Sequence, residues 1–266
     1  MPKFIASVIQ LNSGEDVATN LIEIEKYLRE AAKQGSQIAF LPENAFLMQD
    51  SRNYKYISVE AAIEKCQNWA EELQMSILIG SAQILDGGNK PYNRSLLIDK
   101  YGKINASYDK IHLFDVKLKN GEDYKESDRV LAGNQAIVAD SEFGKIGMTI
   151  CYDVRFPHLY RKLALEGADF LSIPAAFTYT TGLAHWHVLL RSRAIETGCY
   201  IFAAGQCGIH PGNRRTYGHS MIISPWGEII AEASEDTPGI ITATIDSDKI
   251  NEARSMIPSL FNKSVF

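Results

Sequence analysis

Cys151 stands where a thiol can be put to chemical use. It closes the apolar run Ile146–Ile150, which follows Gly144, contains Gly147 and reads as a buried strand. The next residues, Tyr152-Asp153-Val154-Arg155-Phe156-Pro157, open a helix. Such a strand-to-helix elbow sets a side chain at a sheet edge and turns backbone N–H groups toward a developing oxyanion. A helix start also favours the thiolate. A cysteine at a strand end serves equally as packing, so its chemistry depends on partners. Glu43 follows Ile38–Leu41 and Pro42, at the kind of strand end where α/β sheets place ligand sites. Partial burial there is expected to raise its pKa and make it a better base toward a thiol. Lys110 lies in Tyr108-Asp109-Lys110-Ile111-His112-Leu113, where a fixed ammonium would hold a tetrahedral oxyanion. Glu126 is a loop acid in Tyr124-Lys125-Glu126-Ser127. Taken singly, each of the three also reads as a solvated or capping residue.

The elements that must position these groups alternate along the chain. Residues 3–11 suggest a strand. After Ser13 and Asp16, both N-cap types, Val17, Leu21, Ile24, Leu28 and Ala31 recur at helical spacing and Gly35 closes the helix. A strand over Gln37–Leu41, a helix marked by Val59, Ile63, Cys66, Ala70 and Leu73, and a strand over Ser76–Ser81 follow. A strand over Ser95–Asp99 comes next, and Lys117–Asp128 reads as loop. Beyond Cys151 the pattern predicts a helix over Pro157–Glu166, a strand over Phe170–Ile173, a helix over Leu183–Thr197 and a strand over Tyr200–Ala204. Strands near 218–223, 228–233 and 239–246 close the body. Without linker or repeat, residues 1–257 read as a single α/β domain. The tail 258–266 carries Leu260, Phe261, Val265 and Phe266, which either fray or dock on the body or a partner subunit.

Composition narrows the function classes. The 266 residues hold 27 Lys plus Arg against 32 Asp plus Glu, a net charge of −5 that gives no global pull toward nucleic acid or anionic membrane. No apolar run approaches the ~18 residues of a membrane span. Cys66, Cys151, Cys199 and Cys207 form no C-x-x-C pair, which points to a reduced, cytoplasmic protein.

Four short motifs then occur in order: Leu41-Pro42-Glu43-Asn44, Asp109-Lys110-Ile111-His112-Leu113-Phe114-Asp115, Lys125-Glu126-Ser127 and Ile150-Cys151-Tyr152-Asp153-Val154-Arg155-Phe156. Together they resemble the nitrilase, or carbon–nitrogen hydrolase, superfamily over nearly the whole chain. The resemblance implies a four-layer αββα sandwich, a Glu43–Lys110–Cys151 triad with Glu126 as an additional catalytic-site glutamate, and homodimers pairing through helices beside the site. It implies no metal and no organic cofactor. The mechanism it suggests is thiol attack on a small amide with Glu43 as base. Lys110 and the Tyr152 N–H hold the oxyanion, ammonia leaves, and water hydrolyses the thioester.

The stretches Pro174–Thr178, Thr181–Trp186, Arg191–Glu196 and Ala204–Gly208 most resemble the deaminated-glutathione amidases. The ω-amidases acting on 2-oxoglutaramate are the close alternative. From this resemblance Phe177, Thr178 and Trp186 are pocket-wall candidates. His187 stands where both groups carry glutamate and either lines the site or packs on scaffold. Arg155 either clamps a substrate carboxylate or pairs with a buried acid. Arg193 and Glu196 read as a structural i,i+3 ion pair.

Two rival readings remain. His185, His187, Cys199, Cys207, His210 and His219 are metal-ligand types, but helical residues two apart point about 200° from each other and cannot share an ion. A scaffold with a decayed site is the non-enzyme alternative. Selective alkylation of Cys151 separates it from an enzyme.

Overall fold

A computed structural model describes residues 3–118, 121 and 123–262. The chain runs β1 (Phe4–Gln10), α1 (Val17–Lys33), β2 (Ile38–Phe40), α2 (Glu60–Leu73), β3 (Ser76–Ile84), β4 (Tyr92–Ile98), β5 (Ile104–Asp109), β6 (Asp115–Lys117), β7 (Asp123–Lys125), β8 (Ile137–Ser141) and β9 (Gly144–Met148). It continues α3 (Pro157–Leu165), β10 (Phe170–Ser172), α4 (Tyr179–Thr197), β11 (Tyr200–Ala203), β12 (Cys207–His210), β13 (Arg214–Tyr217), β14 (Met221–Ile223), β15 (Ile229–Glu232), β16 (Gly239–Ile245) and α5 (Asp248–Met256).

Strand periodicity sorts the side chains into layers. Phe4, Ala6 and Val8 of β1, Ile38 and Phe40 of β2, and Leu78 of β3 point to one face of their sheet, while Ile9, Ala39, Ile77 and Ile79 point to the other. The first face meets a second sheet, where Phe40 stacks on Phe202 with ring centroids 4.3 Å apart. The other face is covered by Leu21, Ile24 and Leu28 of α1 and Ile63, Cys66 and Trp69 of α2. On the far side of the second sheet lie Leu159, Leu163, Trp186 and Leu190 of α3 and α4. The result is four layers, αββα. The strand orders are β16-β1-β2-β3-β4-β5 and β15-β14-β11-β10-β9-β8, with parallel pairs at each centre: β1–β2–β3 in one sheet and β9–β10–β11 in the other. Catalytic candidates therefore sit at the C-terminal ends of central strands, β2 for Glu43 and β9 for Cys151.

The helices follow their sequence signals. Asp16 caps α1, accepting from the Ala18 and Thr19 N–H groups, and Gly35 takes the left-handed φ of 81° just past its end. The strand expected near 218–223 begins later, at Met221, because Gly218 (φ 66°) and His219 (φ 49°) break the extended backbone. The Lys117–Asp128 stretch, expected to be loop, forms the short β6–β7 hairpin and a helical turn. Residues 119, 120 and 122 lie outside the described residues. The β12–β13 hairpin and α5 carried weak signals. In α5 only Ile250 and Ala253 are buried. In the tail, Leu260 is buried, the Asn262 carbonyl accepts from Arg161, and Phe261 stays exposed; Val265 and Phe266 lie outside the described residues.

Gly80 shows how the sheets converge on the site. A Cβ there would meet the Leu41 and Pro42 carbonyl oxygens at 2.1 and 2.4 Å and Pro174 Cβ at 2.5 Å. Those backbones carry Glu43 and accept the Cys151 N–H. Gly80→Ala is expected to lower Tm and activity together, since backbone and not a movable side chain must yield. Wild-type values for both would refute this.

Candidate active site

Glu43 leaves β2 through Pro42 and is 3% exposed. Its Oε1 accepts from Lys110 Nζ at 2.8 Å and Asn93 Nδ2 at 3.0 Å, and its Oε2 accepts from the Ala176 N–H at 2.8 Å. Lys110, 1% exposed, also donates to both oxygens of Glu126 at 3.2 and 2.9 Å. Glu126 is held in turn by Asn93 Nδ2 at 3.1 Å and the Phe114 N–H at 2.7 Å. One ammonium thus stands between two carboxylates, and one amide braces both.

Cys151 begins a helical turn, Cys151–Arg155, rather than a full helix; α3 starts at Pro157. Its φ of +49° is a strained backbone for a residue with a Cβ, and its N–H is tied to the Pro174 carbonyl at 2.8 Å. Asp153, fully buried, locks this elbow. Its Oδ2 accepts from the Ile150 N–H at 2.9 Å and Tyr108 Oη at 2.7 Å, and its Oδ1 from His112 N at 3.0 Å and Nδ1 at 2.7 Å. The segment carrying Lys110 and the turn carrying Cys151 are thereby fastened together. The His112 ring stacks on Phe156 at 3.5 Å.

Electrostatics assign the resting protons. Burial works to raise the Glu43 carboxyl, yet the Lys110 ammonium and its hydrogen bonds win, and the carboxyl is held below its ordinary 4.5. The expectation of a raised Glu43 is therefore corrected: a buried cation at 2.8 Å outweighs desolvation. Burial pushes the Cys151 thiol well up, the Glu43 charge adds to it, and Lys110 only partly opposes. Burial also opposes the Lys110 charge, but Glu126 and Glu43 raise the amine well above its ordinary value. The site rests as carboxylate, ammonium and neutral thiol. Because the depressed carboxyl stays ionised, the acid limb of kcat/KM is expected below pH 4.5. An acid limb near neutrality would show that Glu43 is not the titrating base.

Around this centre a cavity is lined by Glu43, Lys110, Glu126, Cys151, Tyr152, Phe177, Thr178 and Thr181, with Arg129 and Arg214 at its wall. Three expected pocket residues are absent from that lining. Trp186 is fully buried behind the wall, packing on Phe177 at 4.9 Å and donating from Nε1 to the His219 carbonyl. His187 turns to Glu232. Arg155 lies behind Phe177 and Tyr152, its guanidinium carbon 5.1 and 5.8 Å from their rings, and donates to His185 Nδ1. Among the described residues it has no carboxylate partner, so its expected buried acid is not found. Arg193 pairs with Glu196 at 2.5 Å, as its spacing suggests, and also donates to the Val154 carbonyl just past the nucleophile.

Sequence reasoning missed Asn93, Arg129 and Arg214. Asn93 sits in a strand pattern with no motif around it. Arg129 lies three residues past Glu126, a signal that only the helical turn over Glu126–Asp128 makes readable.

A family model described as carbon-nitrogen hydrolase matches residues 5–255. The chain belongs to the carbon–nitrogen hydrolase family. A deaminated glutathione amidase of Synechocystis is 42% identical to this hydrolase over 98% of each chain. Among solved structures, the Caenorhabditis elegans NitFhit protein superposes with a TM-score of 0.90 at 34% identity, covering 98% of the hydrolase, which spans 65% of that longer protein. Saccharomyces cerevisiae Nit3, a member of branch 10 of the nitrilase superfamily, gives 0.85 at 29% identity over 96% and 94% of the two chains. The hydrolase is an α/β enzyme of this superfamily. None of its helices over the described residues is long and apolar enough to cross a membrane.

Proposed function

We propose that the hydrolase is a thiol amidase whose substrate is a small amide with a carboxylate at each end, deaminated glutathione fitting best. The observation that carries this is the pair Arg129 and Arg214 in the wall of the Cys151 cavity. Among the described residues neither forms an ion pair with an acid. Burial and the neighbouring Arg214 both work against the Arg129 charge, and Glu126 only partly supports it. Arg214 Nε is buried without a hydrogen-bond partner, although its Nη2 donates to the Ala176 carbonyl. Two under-neutralised guanidinium groups call for anions. Deaminated glutathione carries a 2-oxo acid carboxylate on the acyl side of its scissile amide and a glycine carboxylate on the other. 2-Oxoglutaramate has one carboxylate only. The similarity to amidases named for deaminated glutathione supports the same choice.

In the mechanism, Glu43 takes the thiol proton as Cys151 Sγ attacks the carbonyl carbon. The Lys110 ammonium and the Tyr152 backbone N–H hold the oxyanion. Protonation of the amide nitrogen expels the amine and leaves a thioester, which a water activated by Glu43 hydrolyses. Glu126 keeps Lys110 in place. With deaminated glutathione the departing nitrogen is that of the cysteinylglycine amine; ammonia is the product only of primary amides. An assay panel of deaminated glutathione, 2-oxoglutaramate, succinamate, a nitrile and an N-carbamoyl amino acid tests the assignment. It should read amine, 2-oxo acid and ammonia. A clear preference for 2-oxoglutaramate would overturn it.

Arg129→Gln and Arg214→Gln are each expected to raise KM for deaminated glutathione roughly 10- to 100-fold, the worth of a charge-assisted hydrogen bond, while kcat changes less. Unchanged KM in both would remove the two-anion reading. We also infer a cytoplasmic homodimer. All four cysteines are free and buried, which suits a reducing compartment. Ile195, Trp226, Ile257 and Phe261 are exposed apolar residues near the end of α4 and the tail, available for pairing. Sedimentation equilibrium should read twice the chain mass.

A further inference from the structure

Outside the catalytic cavity, His187, His219 and Glu232 bring two imidazole nitrogens and a carboxylate oxygen within 4.8 Å of one another. They come from three parts of the fold: the first half of α4, the link between β13 and β14, and the end of β15. Glu232 Oε1 accepts from His187 Nε2 at 2.9 Å and from His219 Nδ1 at 2.6 Å. Among the described residues, no lysine or arginine forms an ion pair with this carboxylate. The three side chains are 33%, 21% and 31% exposed, sheltered yet reachable from solvent. His219 is fixed from behind. Its carbonyl accepts from the buried Trp186, and its ring packs on Tyr217 at 4.4 Å.

We propose that His187, His219 and Glu232 form a binding site for one divalent transition-metal ion, with zinc as the representative ligand. Two imidazoles and a carboxylate suit Zn²⁺, Co²⁺, Ni²⁺ or Cu²⁺, whereas Mg²⁺ and Ca²⁺ take all-oxygen sets. Three protein ligands leave a fourth position for water. With metal–ligand bonds of about 2.0–2.1 Å, tetrahedral donor atoms stand roughly 3.4 Å apart. The two histidine–glutamate contacts must then open by less than ~1 Å, and the two imidazole nitrogens, within 4.8 Å of each other, must close by at most ~1.4 Å, both within reach of χ adjustments in partly exposed side chains. The sequence could not show this site, because its histidine pair is not His185-x-His187. His185 turns to Arg155, and the second imidazole comes from 32 residues further along, across the fold.

The ion ties α4 to the β13–β14 link. Trp186, next to His187, backs the pocket residue Phe177, so the site braces the cavity wall from outside. It does not touch Cys151, and its role is structural rather than catalytic.

Calorimetric titration of the full chain with Zn²⁺, paired with Co²⁺ absorption spectra, tests the proposal. Expected are one ion per chain and visible Co²⁺ bands of a tetrahedral site without a thiolate charge-transfer band. Zn²⁺ should raise Tm in the wild type, and His187→Ala and Glu232→Gln should each weaken binding at least tenfold and lose that rise. Both substitutions change half-exposed side chains away from the core. Absence of saturable binding, equal affinity in both variants, or a thiolate band that disappears when Cys151 is alkylated would overturn it.

Discussion

Cys151→Ala will retain the fold and lose hydrolysis of deaminated glutathione by roughly 10⁴-fold or more, the scale seen when a covalent nucleophile is removed. The loss falls on kcat, because the cavity walls and the two arginines that receive substrate are untouched. Stability barely changes: the deleted sulfur is small, and the strained φ of +49° is held by the Pro174 carbonyl and by Asp153, not by the thiol. Thermal unfolding with a spectrophotometric assay checks both halves. Near-wild-type turnover would dismiss Cys151 as nucleophile. The other cysteines offer no substitute. Cys66, Cys199 and Cys207 are fully buried and none of them lines the cavity, whereas Cys151 does. In alkylation, a haloacetamide entering the cavity should therefore label Cys151 first.

Lys110→Met will cost both activity and stability. The ammonium separates Glu43 from Glu126, and without it two carboxylates share Asn93 as their common side-chain donor. Breaking one partner out of a buried ion pair costs about 3–5 kcal/mol, and for a domain of this size that lowers Tm on the order of 10 °C. The pH dependence carries the sign. Glu43 is depressed, so its share of stability is present above the ordinary carboxylate range and lost as acid passes its folded value. Lys110 is raised, so its share is present below the ordinary amine range and lost in strong alkali. Lys110→Met should flatten the acid loss and be less stable than wild type throughout the neutral range. A variant as stable and as active as wild type would mean that the buried network is ornamental. The double variant Lys110→Met/Glu126→Gln removes one stranded charge. It is expected to recover part of the stability but none of the activity, separating the oxyanion role from the structural one.

Much of this was legible in the sequence, for identifiable reasons. The α1 face, the Asp16 cap and the strand ends that carry Glu43 and Cys151 are local signals, set by periodicity and turn chemistry. The grouping of Glu43, Lys110 and Glu126 around Cys151 is not local, and it was reached through the resemblance of four motifs. What escaped was set by tertiary contacts. Trp186 was expected at the pocket wall and lies behind it, because Phe177 intervenes. His187, expected to line the site or pack on scaffold, is handed by the turn of α4 to Glu232. Asn93 is one polar residue on a strand. Only the antiparallel pairing of β4 with β5, and the backbone bond from Lys110 N to the Asn93 carbonyl, brings its amide between two glutamates. The lowered Glu43 pKa likewise needed a distance, since burial and a nearby cation push in opposite directions.

The most direct test is to mix the enzyme with deaminated glutathione, quench in acid within one turnover and read the intact and peptide masses. A 2-oxoglutaryl thioester on Cys151, forming with the release of cysteinylglycine and decaying at the rate of turnover, is the predicted result. Turnover with Cys151 unmodified at every quench time, or an acyl group mapped to another residue, would contradict it.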